Sequence, residues 1–448
     1  MKPVIFAFLA LVSCVTLLGC QIPKSTDTGS GKTQDHNEGD SPGESSQVPG
    51  GKKAELRLNQ RAVPRGLDYS KAVEKFAFGS SANQDRPQPI WKTILAQEPD
   101  LFIFMGNNIF ATEVSQKQIG EQYTKLDKIP EYREIRTKVP FLAIWNDLDY
   151  GLASGGGQNP AKEQARKEFL NYWAYVKDSI ALNQGPLYHS KTIGGTTVDK
   201  KRRRKISKTV PSIHFILLDT RWNRDALHPF VAPTPAVSAP VLPPPQPPPP
   251  TSLQDPTKTP ELAESATAEP SGAPAVDPLL ESHLAHPKFV PSEDPKATLL
   301  GETQWEWLED ELKQSADLIV LVSPIQVIAN DHGFERWGLF PKERERLFQL
   351  IRKTQPKNML ILSGDRSFGV VSKLDVKGWG TLTEVTSGTL NQPQSVGGLE
   401  KDQTYQSEIF PKENFGFATL DWASRAVKIE IKNLDGNTVS TSEFKLRR

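Results

Sequence analysis

Cysteine is missing from the body of this chain. The two cysteines, Cys14 and Cys20, both fall within the first twenty residues. No disulfide can brace the folded part, and no cysteine-rich metal site is possible there. An excess of charge of either sign is also missing. The formal net charge is +1 with 24% charged residues, which gives no reason to expect bulk nucleic-acid binding. The glycine run Gly155–Gly157 has neither a strand before it nor a Lys-Ser/Thr after it, so it is not a phosphate cradle of the P-loop kind. The loop Ser80-Ser81-Ala82-Asn83 carries hydroxyls and an amide, with no carboxylate before Asp85.

The amino terminus has the form of a targeting segment. Lys2 supplies the positive region and Val4–Leu18 the apolar one. Leu17-Leu18-Gly19-Cys20 resembles a bacterial lipoprotein signal, with Cys20 as the lipidated residue. The chain is thereby expected to be anchored to a membrane through an N-terminal lipid. Gln21 is not the aspartate of inner-membrane retention, which favours the outer membrane in a Gram-negative cell. Residues 21–70 read as a flexible tether, because Gln21–Lys53 has too few large apolar residues to order itself.

From residue 71 the pattern becomes that of an α/β domain. Phe76–Phe78 reads as a buried strand. Pro89 opens a helix that keeps Ile90, Trp91, Ile94 and Leu95 on one face, and Leu101–Met105 is a second apolar run. Strand, helix and strand of these lengths predict a parallel βαβ unit, whose chemistry belongs in the loops at the carboxyl ends of its strands. Helices are expected over Ser115–Leu126 and Pro130–Lys138, a strand over Phe141–Trp145, and a long helix from Asn159-Pro160 to about Leu182. Leu187–Ile193 and Ile213–Leu218 read as strands of a second sheet, with His214 as a satisfied histidine. Thr303 and Glu306 suggest a capping box before another helix. Further strands are expected at Leu318–Val322 and Asn358–Leu362, a helix at Pro341–Lys353, and closing β-structure from Thr381 onward.

Two stretches depart from this pattern. Lys200, Lys201, Arg202, Arg203, Arg204 and Lys205 form a basic run, either a solvated hairpin tip or a contact for a polyanion. Residues 229–297 are rich in proline, alanine and serine. They read as an extended insertion within one domain spanning 71–448.

Four strand-end loops, taken with several connecting pieces, resemble the motifs of the PhoD-type alkaline phosphatases of the metallophosphoesterase superfamily. The loops are Ser80–Gln84, Gly106–Phe110, Trp145–Ser154 and Ser363–Ser367. The connecting pieces include Gln88–Trp91, Leu217–Arg221, Gln304-Trp305, Trp337–Pro341 and Thr386-Ser387 leading to Asn391. The resemblance implies a four-layer αββα sandwich with two mixed sheets. It also implies hydrolysis of phosphate esters at an iron and calcium centre.

Against that family pattern, most metal-holding letters are changed. Family ligand positions are occupied here by Ser81, Asn107, Phe110, Leu148, Ala153 and Ser367, with Asn83 and Asn146 where the family has aspartate. Amides keep the shape of carboxylates but not their charge, and Leu, Phe and Ala are no donors at all. The expectation is therefore that no metal cofactor is held, and that the chain is an inactive pseudophosphatase binding a phosphate-bearing polymer or a protein partner. The polar residues left there, Asn107, Asn108, Asp147, Asp149, Asp365, Arg366 and His189, read either as structural groups, with aspartates capping loops and Arg366 paired with Asp365 or Asp149, or as a residual pocket with Arg366 as a phosphate clamp. Two other readings stay open. One is an active phosphatase or phosphodiesterase with a rearranged site built on Asp147, Asp149, Asp365 and His189. The other is a polyanion-binding module working through residues 200–205, with no sequence-specific nucleic-acid recognition.

Overall fold

The computed structural model describes residues 63–111, 115–198, 207–231, 288–393 and 401–448. Strand β1 (Lys75–Gly79), helix α1 (Ile90–Ala96) and strand β2 (Leu101–Met105) form the parallel unit that the apolar spacing predicts. Helices α2 (Ile119–Leu126) and α3 (Pro130–Lys138) lead to β3 (Phe141–Ile144), which pairs in parallel with β2. Every residue of β2 and β3 is buried. Strands covered on both faces are written as unbroken apolar runs, and that is why these two stand out without alternation.

The long helix expected after Asn159 is two pieces, α4 (Lys162–Tyr172) and α5 (Ala174–Lys177). Trp173 breaks it, with φ −96° and ψ 61°. Its buried indole stacks on Phe141 at 6.1 Å and lies under the Arg136 guanidinium at 4.1 Å. Tertiary packing at one residue thus overrides helical propensity.

The second sheet begins with the hairpin β4 (His189–Val198) and β5 (Ser207–Leu217). Two short strands follow, β6 (His228–Pro229) and β7 (Phe289–Val290), which pair with each other and so bring together the two ends of the proline-rich stretch. Residues 288–297 belong to the body rather than to that stretch: Phe289 and Ser292 are buried, and the Ser292 N–H donates to Leu339 O at 2.9 Å. Helix α6 (Glu302–Leu312) comes next. Gly301, with φ +78°, stands at its N-cap, and no capping box forms at Thr303. The entry is instead held by Glu343, which accepts the Leu299 and Leu300 N–H groups at 2.8 and 3.1 Å.

Strand β8 (Leu318–Ser323), helix α7 (Pro341–Thr354), and strands β9 (Met359–Ser363), β10 (Gly369–Val376) and β11 (Gly380–Ser387) complete this sheet in the order β10-β11-β9-β8-β5-β4. The chain then returns to the first sheet with β12 (Asn414–Asp421), β13 (Ala426–Asn433) and β14 (Thr438–Lys445). That sheet is ordered β14-β13-β12-β1-β2-β3. Both sheets mix parallel and antiparallel pairs.

Alternation along the second sheet sets the layers. Phe215, Leu217, Val320 and Leu360 face the first sheet, and Phe215 meets Phe76 edge-on at 5.7 Å. Their neighbours Ile216, Leu218, Leu321 and Ile361 pack under α6 and α7 against Trp305, Leu308, Leu347 and Ile351. The result is the metallophosphoesterase-like α/β arrangement, with two mixed sheets face to face and helices outside.

The leader with Cys20, the tether up to residue 62, the basic run 200–205 and residues 232–287 of the insertion lie outside the described residues. The end of the stretch read as tether is not free: Arg65 bridges to Pro140, and its N–H donates to Arg136 O at 3.0 Å. Among the described residues no helix is long and apolar enough to cross a membrane.

Candidate functional site

The carboxyl ends of β1, β2, β3 and β9 meet, and their four loops form one cleft, as open α/β sheets favour. Ser81, Asn107 and Asp365 sit in the left-handed backbone region at φ 59°, 52° and 69°. Such conformations cost free energy in non-glycine residues and persist where surrounding structure imposes them. Here the loops hold one another: Ser81 N–H donates to Gly106 O and Ala82 N–H to Asn107 O, at 3.3 and 2.9 Å. Gly364 lies so close to Ser80 that a Cβ would meet its Oγ at 2.6 Å.

The cleft encloses a cavity of about 300 Å³. Its wall includes Ser81, Asn107, Phe110, Asp147, Leu148, Asp365, Arg366 and Ser367, all singled out from sequence. Ser154, the last residue of the Trp145–Ser154 loop, also lines it, and residues that sequence reasoning missed complete it: Lys288, Phe289, Phe334, Glu335 and Gln392. Lys288 and Phe289 come from the stretch that composition assigns to the insertion. Glu335 follows Asp331-His332 in a loop with no periodicity to mark it.

Beneath the cavity lies a buried charge network. Arg221 donates from Nε and Nη2 to Asn146 Oδ1 at 2.8 and 2.5 Å, and from Nη1 and Nη2 to the two oxygens of Glu335 at 2.8 and 3.0 Å. Arg224 Nη1 reaches the same carboxylate at 2.6 Å. A guanidinium can only donate, so the Asn146 oxygen must face Arg221. Its amide nitrogen must then face the acids, and it donates to Asp365 Oδ1 at 2.6 Å and Asp147 Oδ1 at 3.2 Å. Asp147 also accepts the Ser154 N–H at 2.8 Å. Asn107 Oδ1 is engaged as well, accepting the Leu148 N–H at 3.1 Å.

The titration of these groups follows from their burial and partners. Burial first, then the Asp147 and Glu335 carboxylates, push Asp365 up to about 7. Burial raises Glu335, but the charges of Arg221 and Arg224 outweigh it and leave the carboxyl below its ordinary value. Burial lowers Arg221, yet the surrounding acids hold it above its usual range, whereas burial brings Arg224 down to about 10. Asp147, Glu335 and Asp365 each offer an oxygen, and these lie within 4.8 Å of one another.

Several predicted residues are elsewhere. Asp149 lies below the cleft, accepting the Asn146 and Ile109 N–H groups at 2.9 and 3.2 Å and the Tyr123 hydroxyl at 3.3 Å. Its burial raises it to about 7. Asn108 is buried and donates to Ile144 O at 2.9 Å. Ala153 is exposed and does not line the cavity, where Ser154 takes its place. His189 is outside the cleft altogether. It is buried against Leu187 O at 2.8 Å and the Tyr175 hydroxyl at 3.2 Å, and burial brings it down to about 4. His214 is held by Thr192 and Glu311, both at 2.7 Å. Arg366 lies on the rim, its guanidinium 3.9 Å from the centre of the Phe334 ring.

Comparison with known proteins agrees with this architecture. No curated protein sequence matches the chain. A solved structure described as that of PhoD shares 15% identity over 85% of this chain and 70% of its own, with a TM-score of 0.52. A dimetal phosphatase from Danio rerio shares 11% identity over 84% of this chain and all of its own, with a TM-score of 0.45. GAP50, described as the anchor in the inner membrane complex of Plasmodium, shares 10% identity over 84% of this chain and 90% of its own, with a TM-score of 0.43. The first of these shows the fold. A sequence model of the PhoD-like phosphatase family matches residues 206–432, half of the chain, and the chain belongs to that family.

Proposed function

We propose that this protein is a non-hydrolytic, lipid-anchored member of the PhoD-like family whose cleft binds an anionic group of a cell-envelope partner. The single observation that carries the reading is the placement of Asn146. Its oxygen is taken by Arg221, and its N–H groups point at Asp147 and Asp365, where a cation would otherwise have to sit. A metal centre needs anionic oxygens turned inward with free lone pairs. Here Glu335 is neutralised by two guanidinium groups and Asp147 is capped by two N–H donors. The residues present therefore do not fit the iron and calcium pair of the family. No catalytic step through such ions is assigned.

The remaining chemistry suits an anion. Arg366 and Lys288 stand on the wall of the cavity, with Arg221 and Arg224 beneath. Those four cations face three carboxylates, one of which is raised to about 7. A phosphate or carboxylate group would meet net positive charge and N–H donors. Membrane attachment through Cys20 would place the cleft beside envelope polymers.

A second reading rests on the trio Asp147, Glu335 and Asp365, which could hold one cation if the arginines moved away. Metal analysis after purification with iron and calcium, run beside hydrolysis of p-nitrophenyl phosphate and its phenyl diester, separates the two. The binding reading expects no stoichiometric metal and background turnover, with saturable phosphate binding that weakens in Arg366→Ala. Bound metal with turnover abolished in Asp365→Ala would replace it with the catalytic one.

A further inference from the structure

At the amino end of β3, opposite the cleft, a second cavity of about 270 Å³ lies between α3, the turn joining α4 and α5, and the segment around Arg65. It is independent of the cleft and of the reading given to it. Its wall is aromatic: Phe141, Tyr172, Trp173 and Tyr175 line it, with Leu67 and Tyr69 at the edge. The one feature at odds with an ordinary apolar gap is Arg136. Its side chain lines the cavity although the residue is only 4% exposed. Its Nε has no hydrogen-bond partner. Among the described residues no ion pair within 4 Å reaches it; the Tyr172 hydroxyl bonds it, and Asp127, which also pairs with Arg133, supports its charge from farther off. Its guanidinium also lies against ring faces, with Cζ 4.1 Å from the centre of Trp173, 5.0 Å from Tyr172 and 5.5 Å from Phe141.

A buried guanidinium with no carboxylate in direct contact is costly, and ring quadrupoles and an acid beyond salt-bridge range repay only part of that cost. The planar fork of Arg is also the side chain best matched to a carboxylate or phosphate. The segment forming the rim is pinned where it must be for an enclosed site, because Arg65 N–H donates to the Arg136 carbonyl at 3.0 Å. We propose that this cavity is a binding site for a small amphiphilic anion, with a carboxylate or phosphate group paired to Arg136 and a flat apolar body packed among Phe141, Trp173 and Tyr175.

The test uses the full chain with benzoate, phenyl phosphate, benzamide and benzylamine as probes. Binding is read by saturation-transfer NMR and calorimetry. The site expects saturable binding of benzoate or phenyl phosphate, whichever acid group fits, at least tenfold tighter than that of neutral benzamide. It expects no binding of benzylamine. Arg136→Met, which keeps the volume under the rings but removes the charge, should lose at least tenfold in affinity for the bound anion while melting no lower than the parent. Leu67→Trp, which narrows the cavity from its rim, serves if Arg136→Met does not fold, and should likewise abolish binding. Equal binding of benzoate and benzamide, no anion binding to the full chain, or anion binding unchanged in both variants would overturn the proposal.

Discussion

Arg221 spends two N–H groups on the single carboxamide oxygen of Asn146, at 2.8 and 2.5 Å. Asn146 thereby becomes a relay, an acceptor toward the arginine and a donor toward the acids of the cleft.

Removing the cation should expose how much the network depends on it. Arg221→Met leaves Glu335 with Arg224 alone and strands the Asn146 oxygen. Breaking a buried pair from one side costs about 3–5 kcal/mol, so denaturant unfolding should show a loss of that order. Lys288→Met, an exposed rim position, should stay within about 0.5 kcal/mol. A small effect at Arg221 would mean that water, not Glu335 and Asn146, carries its charge.

Asp365 should write a signature into the pH dependence of stability. Its folded value is about 7, above the unfolded value near 3.9. Between those two pH values the folded state keeps a proton that the unfolded chain has lost, so this group's contribution falls as pH rises from about 4 to about 7, at roughly 1.4 kcal/mol per unit. Asp149 adds a slope of the same sign. Asp365→Asn should flatten the curve in that window and be more stable than the parent at pH 8. A curve with unchanged slope would contradict the raised value.

His189 should behave as a buried structural group. It is held near 4 by burial, so its neutral form stabilises the fold above about pH 6.5 and that contribution is lost as pH falls toward 4. NMR titration should place the ring well below its ordinary range. Phosphate or calcium should leave its resonances in place, since it lies outside the cleft. A ligand-dependent shift comparable to those of Ser81 or Asn107 would return it to the site.

The paired ends of the insertion predict that its interior is dispensable for folding. His228 and Pro229 pair with Val290 and Phe289, so replacing residues 232–287 with a short glycine-serine loop requires no rearrangement. Loop-closure entropy falls by about 0.6 kcal/mol for each halving of length, so the shortened variant should be as stable as the parent or more stable by up to roughly 2 kcal/mol. Failure of that variant to fold would show that the segment packs on the body.

Much of the architecture was legible because buried parallel strands and amphipathic helices carry local patterns. Leu101–Met105 and Pro130–Lys138 are bounded in the structure as their residues predict. The broken helix at Trp173 was not, because its cause is contact with Phe141 and Arg136, distant in sequence.

The sequence alone determined the strand and helix segments and the side chains in the loops after the strands, since these follow from apolar periodicity and from residues at strand ends, while the two-sheet sandwich and the grouping of four loops were what the family resemblance implied. Only tertiary structure decided which polar groups meet. It joined Asn146 to Arg221 and Glu335 across 75 and 114 residues of separation from that arginine, removed His189 and Ala153 from the cleft, and left Arg136 buried among rings. Such pairings are set by three-dimensional proximity and the satisfaction of buried charge, and neither leaves a mark on the local pattern of the chain.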